Sequence, residues 1–238
     1  MELSVLIPSK NEKYLHRTVR DLYTHAETDI EVLYREDCGI GQRKLTNELC
    51  MEAKGKYVMK TDAHCSFGQG WDTKLLMEID DTTILAPTLM PLDGERWTIN
   101  GKKQMKQFAF GPDFVMQHVG GEAGDTMCLQ GSCWMVSTEN YWKWNLGDET
   151  MPAWGGQAVE LGIKAFLNGG RCRTTTKTFY GHVFRHTNEE FPYNRGESPG
   201  KQATEKLIKC YKNKSLVPLI EKFGYPAGWS PQLVADLT

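Results

Sequence analysis

The run Leu3-Ser4-Val5-Leu6-Ile7, closed by Pro8, limits the possible folds more than any other stretch of the chain. A near-continuous apolar run of this length is the pattern of a strand buried on both faces in a parallel sheet. Residues 13–24 then carry Leu15, Val19 and Leu22 on one helical stripe, and residues 30–34 return to strand character. Strand, helix, strand in succession predicts an α/β fold with a mostly parallel sheet, whose ligands bind beyond the C-terminal strand ends. Both Ser9-Lys10-Asn11-Glu12 and Arg35-Glu36-Asp37 fall at that edge. Further helices are expected over residues 44–53, 72–79, 140–144, 158–167 and 201–211. Further strands are expected over 83–89 and 129–136. Residues 93–124 lack periodicity, reading either as an excursion shaping a binding surface or as an ordinary irregular connection. A length of 238 residues suits one large domain, read here as residues 1–211, with residues 212–238 as a tail packed on it.

Composition narrows the partners. A net charge of −2 gives no bulk attraction to nucleic acid or anionic membrane. Lys102, Lys103, Lys106, Arg171, Arg173, Lys177 and Lys201 supply either a local basic face or a plain solvated surface. No apolar run approaches the roughly 18 residues needed to cross a bilayer, so no membrane insertion is expected. The chain starts directly on strand-like sequence, leaving no room for a signal peptide. Seven cysteines without a Cys-X-X-Cys pair read as reduced thiols of a cytoplasmic protein, in a bacterial cell or an infected host.

The stretch Tyr57-Val58-Met59-Lys60-Thr61-Asp62-Ala63-His64-Cys65 reads as a buried strand ending in a carboxylate and an imidazole. In an extended chain, positions i and i+2 share a side, so Asp62 and His64 would converge with only Ala63 between them. A hard oxygen with a neutral imidazole nitrogen suits Mn²⁺ or Mg²⁺ better than a soft-ligand metal. Gly39-Ile40-Gly41-Gln42-Arg43 leads into a helix, and is either a phosphate cradle or a tightly packed turn. Gln157 and Glu160 share a face at the start of another helix, where Glu160 serves either catalysis or the helix dipole. Residues 187–200, rich in Gly, Pro and Asn, form either a lid or a surface connection.

Three segments together carry a resemblance: Asp62-Ala63-His64-Cys65, Trp154-Gly155-Gly156 and Gly181-His182-Val183-Phe184-Arg185. In this order and approximate spacing the chain resembles the catalytic domain of the polypeptide N-acetylgalactosaminyltransferases and their relatives among the GT-A glycosyltransferases. The opening Ser4-to-Glu12 segment resembles the first strand and nucleotide-binding turn of that wider family. The resemblance implies a Rossmann-like GT-A sheet flanked by helices and a UDP-sugar donor. It implies Asp62, His64 and His182 as ligands of Mn²⁺ (or Mg²⁺), with the ion bound to the donor diphosphate. It further implies that Pro8, Lys10, Asn11, Glu12 and Asp37 lie against uracil, that Arg43 approaches uridine or phosphate, and that Arg185 supports the ligands or touches diphosphate. Trp154 would wall the sugar site.

The chain also departs from the pattern. The family's Trp-Gly-Gly-Glu reads Trp154-Gly155-Gly156-Gln157 here, and an amide hydrogen-bonds a sugar hydroxyl but accepts no proton. Glu160, Asp148 and Glu149 remain as candidate bases, and the stereochemical outcome stays open. The family's second-strand acidic pair is compressed to Glu36-Asp37, so a strand is expected to be missing there. The expected activity is metal-dependent transfer of a sugar to a hydroxyl, with protein Ser/Thr favoured as acceptor. Hydroxymethylated phage DNA is the alternative acceptor, and a non-catalytic sugar-nucleotide binding module is the alternative of another class.

Overall fold

The computed structural model describes residues 1–185, 190–192 and 199–237. The first strand, β1 (Leu3–Ser9), sits between β2 (Glu31–Glu36) and β3 (Tyr57–Thr61) and is parallel to both. Its Leu3, Val5, Leu6 and Ile7 are all buried, as the apolar run predicts. Helix α1 (Leu15–His25) connects β1 to β2, and α2 (Gln42–Glu52) connects β2 to β3. The helix expected from residue 13 starts two residues later. Asn11 takes a left-handed φ of +51° and gives its N–H to Glu36 Oε1 at 2.6 Å, so the chain turns before it coils.

After β3 come the short β4 (Cys65–Phe67), α3 (Trp71–Leu76), and β5 (Thr83–Asp93). The last is longer than the expected strand, because it stays paired with β11 (Arg171–His182) to Pro91 and then with β6 (Thr98–Ile99). The aperiodic 93–124 stretch contains a two-stranded antiparallel sheet of β7 (Gln107–Phe110) and β8 (Met116–Val119). Two residues of β9 (Asp125–Thr126) pair with β11, and β10 (Cys133–Ser137) inserts antiparallel between β3 and β5. The strand expected from residue 129 is shortened because Gln130 folds back, its Oε1 accepting from the Ser132 N–H.

The main sheet runs β2-β1-β3-β10-β5-β11-β4. Five of these seven strands point one way, with β10 and β4 reversed, so the sheet is mixed but mostly parallel. Beyond β2 no further strand pairs among the described residues, in line with the compressed acidic segment. Helices α4 (Thr138–Lys143) and α5 (Gln157–Leu167) follow β10, and α6 (Pro199–Tyr211) follows β11. Two apolar clusters form on this sheet, one around Trp71, Phe110 and Tyr180, the other around Trp134, Tyr141 and Leu161. The last segment contributes α7 (Val217–Lys222) and α8 (Pro231–Ala235), which bury Leu219, Ile220 and Val234 in the first cluster. No described helix is long and apolar enough to cross a membrane. All seven cysteines are free, five of them buried.

Candidate active site

The register of β4 against β11 builds the centre of the site. Cys65 lies opposite His182 in this antiparallel pair, which sets His64 beside His182 at the strand ends. Helix α1 holds β4 in place: Thr18 Oγ1 accepts from the Cys65 N–H at 3.0 Å, and the buried Asp21 accepts from Phe67 N–H and Ser66 Oγ. Asp62 arrives from another direction, its N–H bonded to the Ser132 carbonyl at 2.8 Å. The extended i, i+2 argument for Asp62 and His64 needs correction here. Strand β3 ends at Thr61 and the chain turns through Ala63 and His64, so a turn makes the two side chains converge.

The ligand atoms of Asp62, His64 and His182 lie within 4.8 Å of one another. His64 Nε2 is 3.1 Å from His182 Nε2, which is 3.3 Å from Asp62 Oδ2; His64 Nε2 and that oxygen are 3.9 Å apart. The nearest point equidistant from all three is about 2.0 Å from each, the bond length small divalent ions make to nitrogen and oxygen. The protonation states suit the same use. Burial pushes His182 down to about 4, with the neighbouring His64 and Lys60 adding to the effect, so its imidazole is neutral near pH 7. Burial alone would raise Asp62, but the Lys60 ammonium and the two imidazoles hold it well below the usual carboxylate range. His64 Nδ1 lies 3.4 Å from Glu12 Oε2 and 3.3 Å from Arg185 Nη2, and the tautomer that leaves Nε2 free turns its Nδ1–H to the carboxylate. Glu12 in turn accepts a two-pronged ion pair from Arg185, one prong at 2.9 Å. His182 is oriented by packing, edge-on to Phe184 at 4.8 Å, and its Nδ1 has no hydrogen-bond partner among the described residues.

These three residues sit in a cleft of about 400 Å³, a size that fits a nucleotide-scale ligand. Pro8, Lys10, Glu12, Asp37, Trp154 and Arg185 line it as well. Asp37 accepts from the N–H groups of Gly39 at 2.8 Å and Gly41 at 3.1 Å and pairs with Lys10 at 3.5 Å. Its burial is outweighed by these contacts and its carboxyl is lowered. Asp37 thus pins the turn through the amides of Gly39 and Gly41, while α2 begins after Gly41 with no side chain capping its first amides. A side chain at Gly41 would come within 2.7 Å of Ala153 Cβ. The aromatic edge of the cleft is Trp154, which meets Phe191 edge-on at 6.4 Å, while Arg185 lies 5.4 Å from the same ring.

Four expected site residues lie elsewhere. Arg43, expected at the donor, is buried and pairs with Glu160 at 2.5 Å, donating also to the carbonyls of Pro152 and Gly155. Glu160, a candidate base, is 1% exposed and caught between Arg43 and Lys164, the latter at 2.6 Å. Both carry charges that satisfy each other in the interior and hold the turn behind Trp154. Gln157 is half-buried beside Gly131 and does not line the cleft. Asn11 faces an adjoining hollow, where its amide reaches the Pro192 carbonyl at 3.4 Å. The reserve candidates are engaged too: Asp148 with Lys164 at 3.2 Å, and Glu149 with Asn47 at 2.8 Å. Most of the 187–200 segment, with its expected lid, lies outside the described residues.

Sequence reasoning missed Lys60, Gln42 and Gln130. The last two line the cleft; Lys60 is 1% exposed and ion-paired with Asp62. A lysine inside an otherwise apolar strand was the available signal, since lysine is almost never fully buried unless paired.

No family model matches the chain. Curated relatives that align share 22 to 27% identity. Among them, human polypeptide N-acetylgalactosaminyltransferase 13 is 24% identical over 211 residues, covering 81% of this chain and 37% of its own length. The chain thus spans about a third of such relatives. A crystal structure of GalNAc-T7 with UDP, GalNAc and Mn²⁺ superposes with a TM-score of 0.74 at 18% identity, covering 98% of this chain and 54% of that one. Staphylococcus aureus TarS in complex with UDP-GlcNAc superposes at 0.61 and 16% identity, covering 99% and 71%. The fold is that of the GT-A glycosyltransferases, and in sequence the chain is similar to the polypeptide N-acetylgalactosaminyltransferases.

Proposed function

We propose that the chain is a metal-dependent glycosyltransferase that moves a sugar from a UDP-sugar to a hydroxyl acceptor. The observation that carries this reading is the convergence of Asp62, His64 and His182 in one cleft at the C-terminal edge of a GT-A sheet. The similarity to N-acetylgalactosaminyltransferases and the UDP complexes of the structural neighbours support the donor class. The two histidines and Asp62 would hold Mn²⁺ or Mg²⁺, which supplies Lewis-acid stabilisation of the charge that builds on the leaving diphosphate.

The residues of the chain do the rest. Glu12 and Arg185 fix His64, and Pro8 with Lys10 and Asp37 forms the wall for the nucleotide. Trp154 closes the sugar end and excludes water there. The carboxylates lining the cleft among the described residues are Glu12, Asp37 and Asp62, and each is already paired. With Glu160 in the core, no uncommitted carboxylate lines the cleft among the described residues. The acceptor oxygen then bonds to the sugar carbon as the bond to diphosphate breaks, and its proton passes to an oxygen of the departing diphosphate. A protein Ser/Thr hydroxyl is favoured as acceptor over hydroxymethylated DNA. Four of the seven residues considered for a basic face are paired with acids: Lys106 with Glu122, Arg171 with Asp80, Arg173 with Asp125 and Lys201 with Glu205.

UDP release measured across a panel of UDP-sugars, with Mn²⁺ or chelator and with peptide or hydroxymethylated DNA added in turn, tests the reading. Metal-dependent release from one donor, stimulated by peptide, is expected. Stimulation by DNA alone would reverse the acceptor assignment. Binding of a UDP-sugar with no release under any condition would favour a non-catalytic module.

A further inference from the structure

Each carboxylate of the cleft has a cationic partner: Glu12 has Arg185, Asp37 has Lys10, and Asp62 has Lys60. The third differs in position. Lys60 lies on the central strand β3, between β1 and β10, with Leu6 and Trp134 as its lateral neighbours. Its ammonium is shared between Asp62 Oδ1 and the Gly131 carbonyl, the latter at 2.9 Å. It is 1% exposed and lies behind the residues that line the cleft. Placing a lysine there removes a charge from water at considerable cost, which its contact with Asp62 offsets.

That contact sets what Asp62 offers. Oδ1 is engaged by the ammonium, and Oδ2 is the oxygen turned to His182 and His64. The charge of Asp62 is cancelled by its neighbour, and the other two members of the triangle are imidazoles. Affinity for a hard divalent ion rises with the number of charged ligands, and here the paired carboxylate brings almost none. A nucleoside diphosphate would bring the missing negative charge.

We propose that Lys60 is a positioning residue: it restricts Asp62 to one ligating oxygen and cancels its charge, so that a divalent ion is retained only together with a nucleoside diphosphate. This rests on the metal-dependent reading above. It assigns the coupling to a side chain behind the residues that line the cleft.

The test is a Mn²⁺ titration followed by the electron paramagnetic resonance of the free ion, on the wild type and Lys60→Met, each with and without UDP. Methionine keeps the apolar stem and drops the charge. The wild type is expected to bind Mn²⁺ at least tenfold more tightly with UDP than without. Lys60→Met is expected to bind Mn²⁺ alone at least tenfold more tightly than the wild type, about 1.4 kcal/mol, and to lose most of the gain from UDP. A folded Lys60→Met with unchanged or weaker Mn²⁺ binding overturns the inference, as does a wild type that binds Mn²⁺ equally well without UDP. If Lys60→Met does not fold, Lys60→Gln, which keeps a donor for the Gly131 carbonyl, carries the same expectations. A wild type that binds no Mn²⁺ even with UDP would sink the metal-dependent reading itself.

Discussion

Replacing Glu160 with Gln separates a structural carboxylate from a catalytic one. The wild-type side chain sits between Arg43 at 2.5 Å and Lys164 at 2.6 Å, almost wholly out of water. An amide of the same shape leaves both cations without the carboxylate that they share. Lys164 retains Asp148 at 3.2 Å, but Arg43 keeps only the carbonyls of Pro152 and Gly155. Breaking one side of a buried ion pair costs about 3–5 kcal/mol. For a chain of 238 residues the unfolding entropy is about 0.5 kcal/mol/K, so the melting temperature should fall by about 6–10 °C. The double variant Arg43→Met/Glu160→Gln should lose less than the sum of its singles, because it leaves neither charge stranded. Scanning calorimetry on the four proteins gives the cycle, and UDP release is read alongside. A Glu160→Gln protein that melts within 2 °C of wild type yet has lost metal-dependent UDP release would refute the reasoning and return Glu160 to the chemistry.

Asp62→Ala removes the one acidic ligand, and UDP release should drop by about a thousandfold or more while calorimetry still shows a folded protein. Gly156→Ala forces a side chain into a φ of +70° and within 2.9 Å of Leu207 Cδ1. A loss of about 1–3 kcal/mol is expected by urea denaturation, and an unchanged midpoint would mean that α6 yields there. Asp80, whose burial is outweighed by hydrogen bonds from Thr83 and Thr82 and the pairing with Arg171, has its carboxyl lowered in the folded state. Its contribution is therefore full above the unfolded value of about 3.9 and is lost as pH falls through the lower folded value. Being half exposed, the ion pair contributes under about 1 kcal/mol, so the wild-type advantage over Asp80→Asn should be small at pH 7 and shrink further in acid.

What was legible in the sequence was what local pattern carries. The Leu3-to-Ile7 run announced a doubly buried strand, and Asp62 with His64 announced two polar side chains that converge on one point. Gly155 and Gly156, read in the sequence only as part of a resemblance, take φ of +94° and +70°, and α6 packs close to Gly156. Two of the site residues that went astray are charged groups whose role is set by partners far along the chain. Arg43 and Glu160 lie 117 positions apart, and nothing in either neighbourhood distinguishes an arginine for phosphate from one for a buried carboxylate. The amides of Gly39 and Gly41 are a local case instead, both taken by the nearby Asp37. Lys60 is the opposite case: its charge stood out within an apolar strand, yet only β10 beside it, with the Gly131 turn, explains where the ammonium goes.

The two imidazoles hang from neighbouring ends of one hydrogen-bonded strand pair, whereas Asp62 follows a different strand and is tied to the turn before β10. A relative shift of those strands would leave the histidine spacing set by the β4–β11 pairing and move the carboxylate, as in a vernier with a fixed scale and one sliding jaw. Exchanging one divalent ion for a larger or smaller one should therefore be recorded at Asp62 and at Lys60 behind it, while β4 and β11 register nothing.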